Sequence, residues 1–127
     1  MSEPFVLVVE DDPKMAAIIE RCLQRSSYET GVATTGDQAL WAVLNRDPAA
    51  IVLDVMIPHP SGIEVCRHLR NSGWNGAVVI VSARSSPADR DAALRAGADA
   101  FLGKPFALAD LVGTLSSLIP RSTAAGA

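Results

Sequence analysis

The stretch FVLVVEDDPKMAAIIERCLQR, residues 5–25, decides the fold. Its first five residues are an unbroken apolar run, the mark of a strand covered on both faces. Three carboxylates follow, Glu10, Asp11 and Asp12, and then Pro13. Aspartate before proline is a helix start: the acid caps, and proline takes the first helical position, where its missing N–H is not needed. An amphipathic pattern then runs to about Ser26, with Met15, Ile18, Ile19, Cys22 and Leu23 on one stripe. Three adjacent acids raise a question of charge, because like charges held close push one another's pKa upward. A bound cation, a helix terminus or solvation has to offset the repulsion.

The same unit recurs along the chain. YETGVA (28–33) reads as a weaker, more polar strand near an edge, and Thr35-x-x-Gln38 as a capping box opening a helix to about Arg46. AAIVLDV (49–55) is a third strand, interrupted by Asp54 near its end. Ser61-x-x-Glu64 is a second capping box, and its helix carries Ile63, Val65, Cys66 and Leu69 before stopping at Gly73. AVVIVS (77–82) is the fourth strand, Ser86-Pro87 starts a helix that Gly97 ends, and AFLG (100–103) is the fifth strand. ALADLVGTLSSLI (107–119) is the last helix, stopped by Pro120. Five strand–helix units predict an α/β fold, (βα)5, with a doubly wound five-stranded parallel sheet and right-handed crossovers. The expected domain covers 1–119, with 120–127 a flexible tail or linker stub.

Composition narrows the function. At 127 residues with 49% apolar content, the chain reads as one globular domain. A net charge of −3 argues against nucleic-acid binding by this chain alone, since a phosphate backbone wants a basic face. The N-terminus lacks a basic stretch and a long apolar run, so neither a signal peptide nor a membrane span is expected. Cys22 and Cys66 have no metal-type spacing and read as reduced thiols of a cytoplasmic protein. His59, His68, Trp41 and Trp74 read as surface or contact residues without matched partners.

In an open parallel sheet, sites form beyond the carboxyl ends of the strands. Glu10 and Asp11 end the first strand, Asp54 the third, Ser82 the fourth and Lys104 the fifth, so all fall on one edge. Three carboxylates make an oxygen cluster suited to a hard cation such as Mg²⁺. One carboxylate, so neutralised, can serve as nucleophile toward a phosphoryl group whose oxygens a lysine and a metal hold. Lys104 precedes Pro105, and a cis bond there would aim the ammonium into the site.

The segments VLVVEDD, IVLDVMIPHPSG, VIVSAR and GADAFLGKPF, in this order and spacing, resemble the response-regulator receiver domain of bacterial two-component signalling. The resemblance covers residues 5 to 119 and implies the flavodoxin-like strand order 2-1-3-4-5. It implies Asp54 as phosphoacceptor, Ser82 as switch hydroxyl, Lys104 as phosphoryl clamp and Phe101 as an aromatic that turns inward on activation. It implies Mg²⁺ held by Asp11, Asp54 and the backbone carbonyl of Met56, with Glu10 acting through water. Asp12 is then left as the helix cap. The implied donor is a histidine kinase or a histidine phosphotransfer protein, and the domain is not an enzyme beyond assisting its own phosphotransfer and autodephosphorylation. The resemblance also implies that the side chains at Met56 and Arg84 tune how long the phosphoryl group lasts.

The chain also looks similar to receivers that precede winged-helix DNA-binding domains, but Ala100 and Gly113-Thr114 stand where their dimer charges would be. Dimerisation and the output partner or output domain stay open. Two other functions compete. A phosphorylation-independent interaction module would be signalled by loss of a site residue, and none is lost. A phosphatase of the haloacid-dehalogenase type wants a second aspartate where Met56 stands.

Overall fold

The fold is built from the units the sequence announces. The structure, a computed structural model, describes residues 3–120. The expected tail therefore lies outside the described residues except for Pro120. Strands β1 (Phe5–Val9), β2 (Glu29–Ala33), β3 (Ala50–Asp54), β4 (Ala77–Ser82) and β5 (Ala100–Gly103) alternate with helices α1 (Pro13–Arg25), α2 (Gly36–Arg46), α3 (Gly62–Asn71), α4 (Pro87–Ala96) and α5 (Leu108–Leu118). All strand pairs are parallel, and the order across the sheet is β2-β1-β3-β4-β5.

Each strand of the centre is buried on both sides, which is why β1, β3 and β4 lack polar alternation. One face carries Leu7, Val9, Ile51, Leu53, Val78 and Ile80 against α2, α3 and α4. The other carries Val6, Val8, Val52, Val79 and Val81 against α1 and α5, with Ile19, Leu23, Leu111 and Leu115 inserted. The more polar β2 is an edge strand, as its composition indicates.

Caps fix where helices begin. Asp12 accepts from the amide of Lys14 at 3.0 Å, with Pro13 in the first turn. Ser61 and Glu64 form a complete capping box, and Ser86 and Asp89 form another. At α2 the expected box is only half present. Thr35 caps the Gln38 amide, but the Gln38 side chain turns to the amide and hydroxyl of Thr34 at 2.8 and 3.0 Å. The α1 stripe also differs by one residue: Ile18 is 51% exposed, and Ala16 takes its place facing the sheet. Residues 16, 19 and 23 follow the helical period, whereas Ile18 falls outside that arc.

Candidate functional site

Parallel strands with the order β2-β1-β3 place the ends of β1 and β3 side by side, with Val9 opposite Leu53. The residues just beyond are Glu10 and Asp54, and both are nearly inaccessible, at 2% and 3% exposure. Asp11 is exposed. Oxygens of Glu10, Asp11 and Asp54 lie within 4.8 Å of one another. From the end of β5, Lys104 reaches into this cluster, and its Nζ donates to Asp54 Oδ2 at 2.9 Å and to Glu10 Oε1 at 3.0 Å. The Lys104–Pro105 bond is cis, as is His59–Pro60, which the sequence reading did not anticipate.

The second oxygen of each carboxylate is bonded locally. Asp54 Oδ1 accepts from the amide of Met56 at 3.0 Å, and Glu10 Oε2 from the amide of Asp12 at 3.2 Å. The strand end thus holds one carboxylate between a backbone amide and an ammonium. Among the described residues, no buried side-chain polar atom lacks a partner. Glu10 does more than its sequence suggests, because it shares the lysine with Asp54 across 94 residues of chain.

Charge is unbalanced here, with three carboxylates against one ammonium. Burial pushes the Glu10 carboxyl above its ordinary value, hydrogen bonds from Lys104 and the Asp12 amide oppose the rise, and the Asp54 charge adds to it. For Lys104, burial alone would lower the pKa, but the hydrogen bonds and charges of Asp54 and Glu10 outweigh it and hold the ammonium above its ordinary 10.5. A group protonated more readily when folded loses stability as pH rises. Stability contributed by Glu10 should therefore fall as pH climbs from 4.5 through its raised folded value. Urea midpoints between about pH 4 and 7 should show a shallower downward trend, or a steeper rise, for Glu10→Gln than for the parent chain. Identical pH profiles would contradict the burial argument.

A hard divalent cation fits this donor set. All its donors are carboxylate oxygens, Asp11 opens to solvent, and one positive charge leaves the cluster net negative. Met56 follows β3 in the adjoining loop and is 57% exposed.

Ser82, at the end of β4, is 1% exposed, and its Oγ accepts from the amide of Arg84 at 3.0 Å. Phe101 is buried at 8% and belongs to the same core as Leu53 and Ile80. Between them lies a small cavity of about 90 Å³, lined by Val55, Met56, Ile63, Ser82, Arg84, Asp89, Ala92 and Phe101. A larger cavity of about 650 Å³ lies between α2 and α3, walled by Trp41, Leu44 and Trp74. It sits toward the C-terminal turns of those helices, away from the acidic cluster.

Two glycines shape the loop after β3: Gly62, which ends the IVLDVMIPHPSG segment, and Gly36, which no motif in the sequence marks. A Cβ at Gly62 would press on the carbonyl oxygen of Asp54 and lie 2.8 Å from Val55 Cα. A Cβ at Gly36 would press on the carbonyl oxygen of Pro60, and the Gly36 amide donates to Pro58 O at 3.1 Å. Backbone cannot yield as a side-chain end does, so Gly62→Ala should cost about 2 kcal/mol, read as a lower urea midpoint. An unchanged midpoint would mean that the loop has slack. The histidines stay apart from the site: both are exposed, and His59 lies 3.9 Å from Glu64. Cys22 and Cys66 are both free, and burial raises the Cys66 thiol to about 11.

The pattern of the response regulator receiver domain matches residues 6–116. Response regulator MprA of Mycobacterium sp. (strain KMS) is 41% identical over 118 residues, which is 93% of this chain and 51% of that protein. The chain thus spans about half the length of the curated relatives it matches. Among solved structures, a Francisella response regulator receiver domain superposes with a TM-score of 0.89 at 34% identity, covering 91% of this chain and 96% of that one. The BeF3-activated N-terminal receiver domain of Klebsiella pneumoniae RstA gives 0.86 at 27% identity, covering 92% and 99%.

Proposed function

This chain belongs to the response regulator receiver domain family, and from that premise we propose that Asp54 accepts a phosphoryl group from a histidine kinase or a histidine phosphotransfer protein. The observation that carries the reading is the Lys104 bridge, an ammonium 2.9 Å from a carboxylate that is buried at the mouth of the sheet. A carboxylate oxygen of Asp54 attacks phosphorus, the new O–P bond forms, and the donor's N–P bond breaks with its electron pair leaving on the imidazole. Lys104 turns from carboxylate to phosphoryl oxygen, stabilising charge where it develops.

Asp11, Asp54 and the Met56 carbonyl would hold Mg²⁺ directly, and Glu10 through water; when bound, the ion supplies charge neutralisation at the phosphoryl oxygens. Ser82 exchanges its bond from the Arg84 amide for one to a phosphoryl oxygen. Phe101, which has no hydroxyl to leave unsatisfied, packs behind it. The phosphoryl group biases two packings of one domain, and that shift is the signal. The domain helps only its own phosphorylation and dephosphorylation. That a similar receiver is activated by BeF3, a phosphoryl mimic, supports the reading. So does the length of the relatives, which leaves room for an output domain or partner beyond this receiver unit. A cytoplasmic setting agrees with two free cysteines and with the absence, among the described residues, of a helix long and apolar enough to cross a membrane.

The test is intact mass after incubation with acetyl phosphate and Mg²⁺. One phosphoryl adduct is expected, and none should form when EDTA is present during the incubation. If neither an adduct nor a beryllium fluoride response by NMR appears, the interaction module that ignores phosphorylation becomes the better reading.

A further inference from the structure

Helix α4 is held very differently at its two ends. Its buried residues are Ala93 and Ala96, both in the second half, while residues 87–92 bury no side chain. The C-terminal end is tied down by α3. Cys66 Sγ donates to Ala96 O at 3.4 Å, and Arg70 Nε donates to Gly97 O at 3.0 Å. The same guanidinium donates to Trp74 O, Gly76 O and Asp99 Oδ2 at 3.0, 2.7 and 2.9 Å. Asp99 Oδ2 in turn accepts from the Val78 amide at 2.8 Å. Gly97 has φ +111°, and its bare Cα lies against Arg70 Cγ, so a side chain there would displace the arginine. One planar five-donor group thus joins the end of α4 to α3 and to the entries of β4 and β5.

The N-terminal half has one contact of this kind. The Arg90 guanidinium lies over the ring of Phe101, 5.0 Å from its centroid. Beneath it, Asp89 and Ala92 border the cavity of about 90 Å³ that also touches Ser82 and Phe101. A half-helix without buried side chains has little holding it to the sheet, so a single ring contact weighs heavily on where it sits.

We propose that α4 is a lever pivoted at its C-terminal end by Arg70 and latched at its first turns by Arg90 on Phe101, so that the ring's position sets the position of residues 87–92. This rests on the reading that Ser82 and Phe101 switch together. Arg90 acts through Phe101 and is a positioning residue. A partly exposed cation–ring contact is modest, which suits a latch that one phosphoryl group must be able to reset.

The experiment is amide hydrogen exchange by NMR on the full chain, as the parent, Arg90→Gln, Arg90→Lys and Arg70→Gln, each with and without beryllium fluoride plus Mg²⁺. Without beryllium fluoride, Arg90→Gln should raise exchange at Asp89, Asp91 and Ala92 by roughly twofold to fivefold, the strength of an exposed cation–ring contact. Ala93 to Ala98 should hold their rates, Arg90→Lys should restore part of the protection, and Arg70→Gln should instead loosen Gly97 and Ala98. With beryllium fluoride, the amides of Ser82 and Arg84 should respond in both the parent and Arg90→Gln, while residues 89–92 should respond only in the parent. Parent-like exchange at 89–92 in Arg90→Gln, or a parent-like response there to beryllium fluoride, would overturn the latch. No response at Ser82 and Arg84 in any chain would instead overturn the phosphoacceptor reading, and the arm without beryllium fluoride would still decide the latch.

Discussion

Asp54→Asn is expected to abolish the phosphoryl adduct entirely under conditions that load the parent chain. Asparagine matches aspartate in shape but has no anionic oxygen to attack phosphorus. The fold should survive the change. The amide oxygen can still accept from Met56, now 3.0 Å from Asp54 Oδ1, and Lys104 keeps Glu10 as a partner at 3.0 Å. Far-ultraviolet circular dichroism and the urea transition check that survival, and intact mass with acetyl phosphate and Mg²⁺ reads the chemistry. An adduct that persists would move the acceptor to Glu10 or Asp11, the other carboxylates of the cluster.

Lys104→Met should destabilise the protein and cripple phosphorylation together. The ammonium is the only cation bonded to Glu10 and Asp54 among the described residues, whose side chains are 3% and 4% exposed. Removing one partner of a buried ion pair costs about 3–5 kcal/mol, and the low end applies because Lys104 itself is 22% exposed. A loss of about 3 kcal/mol would lower Tm by roughly 10 °C in a domain of this size. The same change should make the protein depend more on Mg²⁺, since a divalent cation can neutralise what the lysine no longer does. Thermal melts with and without Mg²⁺ should therefore show a larger gain for Lys104→Met than for the parent. Equal gains would mean that the lysine and the ion do not neutralise the same carboxylates. Lys104→Arg should not restore phosphorylation, because a planar fork does not replace a compact point charge held between two carboxylates.

The element boundaries were readable because their signals are local. FVLVV and AVVIVS could only be doubly covered strands, and Asp12-Pro13, Ser61-x-x-Glu64 and Ser86-Pro87 each cap the helix that follows. The half-formed box at Thr35 and the outward turn of Ile18 went unread for a related reason. Each depends on which way one side chain points, and spacing does not fix that. Asp12 is the acid whose role was plain from sequence, because its partner is the Lys14 amide two residues away.

Legible in the sequence are the succession of five strands and helices, the N-terminal caps of α1 to α4, and the fall of five polar groups at one edge of a parallel sheet. Each rests on contacts between residues a few positions apart, or on a rule that holds for any sheet of this class. The burial of Glu10 and Asp54, and their sharing of Lys104 across 94 and 50 residues of chain, emerge only when the sheet is assembled. The assembled fold alone reveals that Gly62 and Gly36 make room for the loop carrying Met56, and that Arg70 ties down one end of α4 while Arg90 rests on Phe101. These pairings depend on strand register and helix placement across the whole sheet. A charge carries no mark in the sequence of the distant group that will neutralise it.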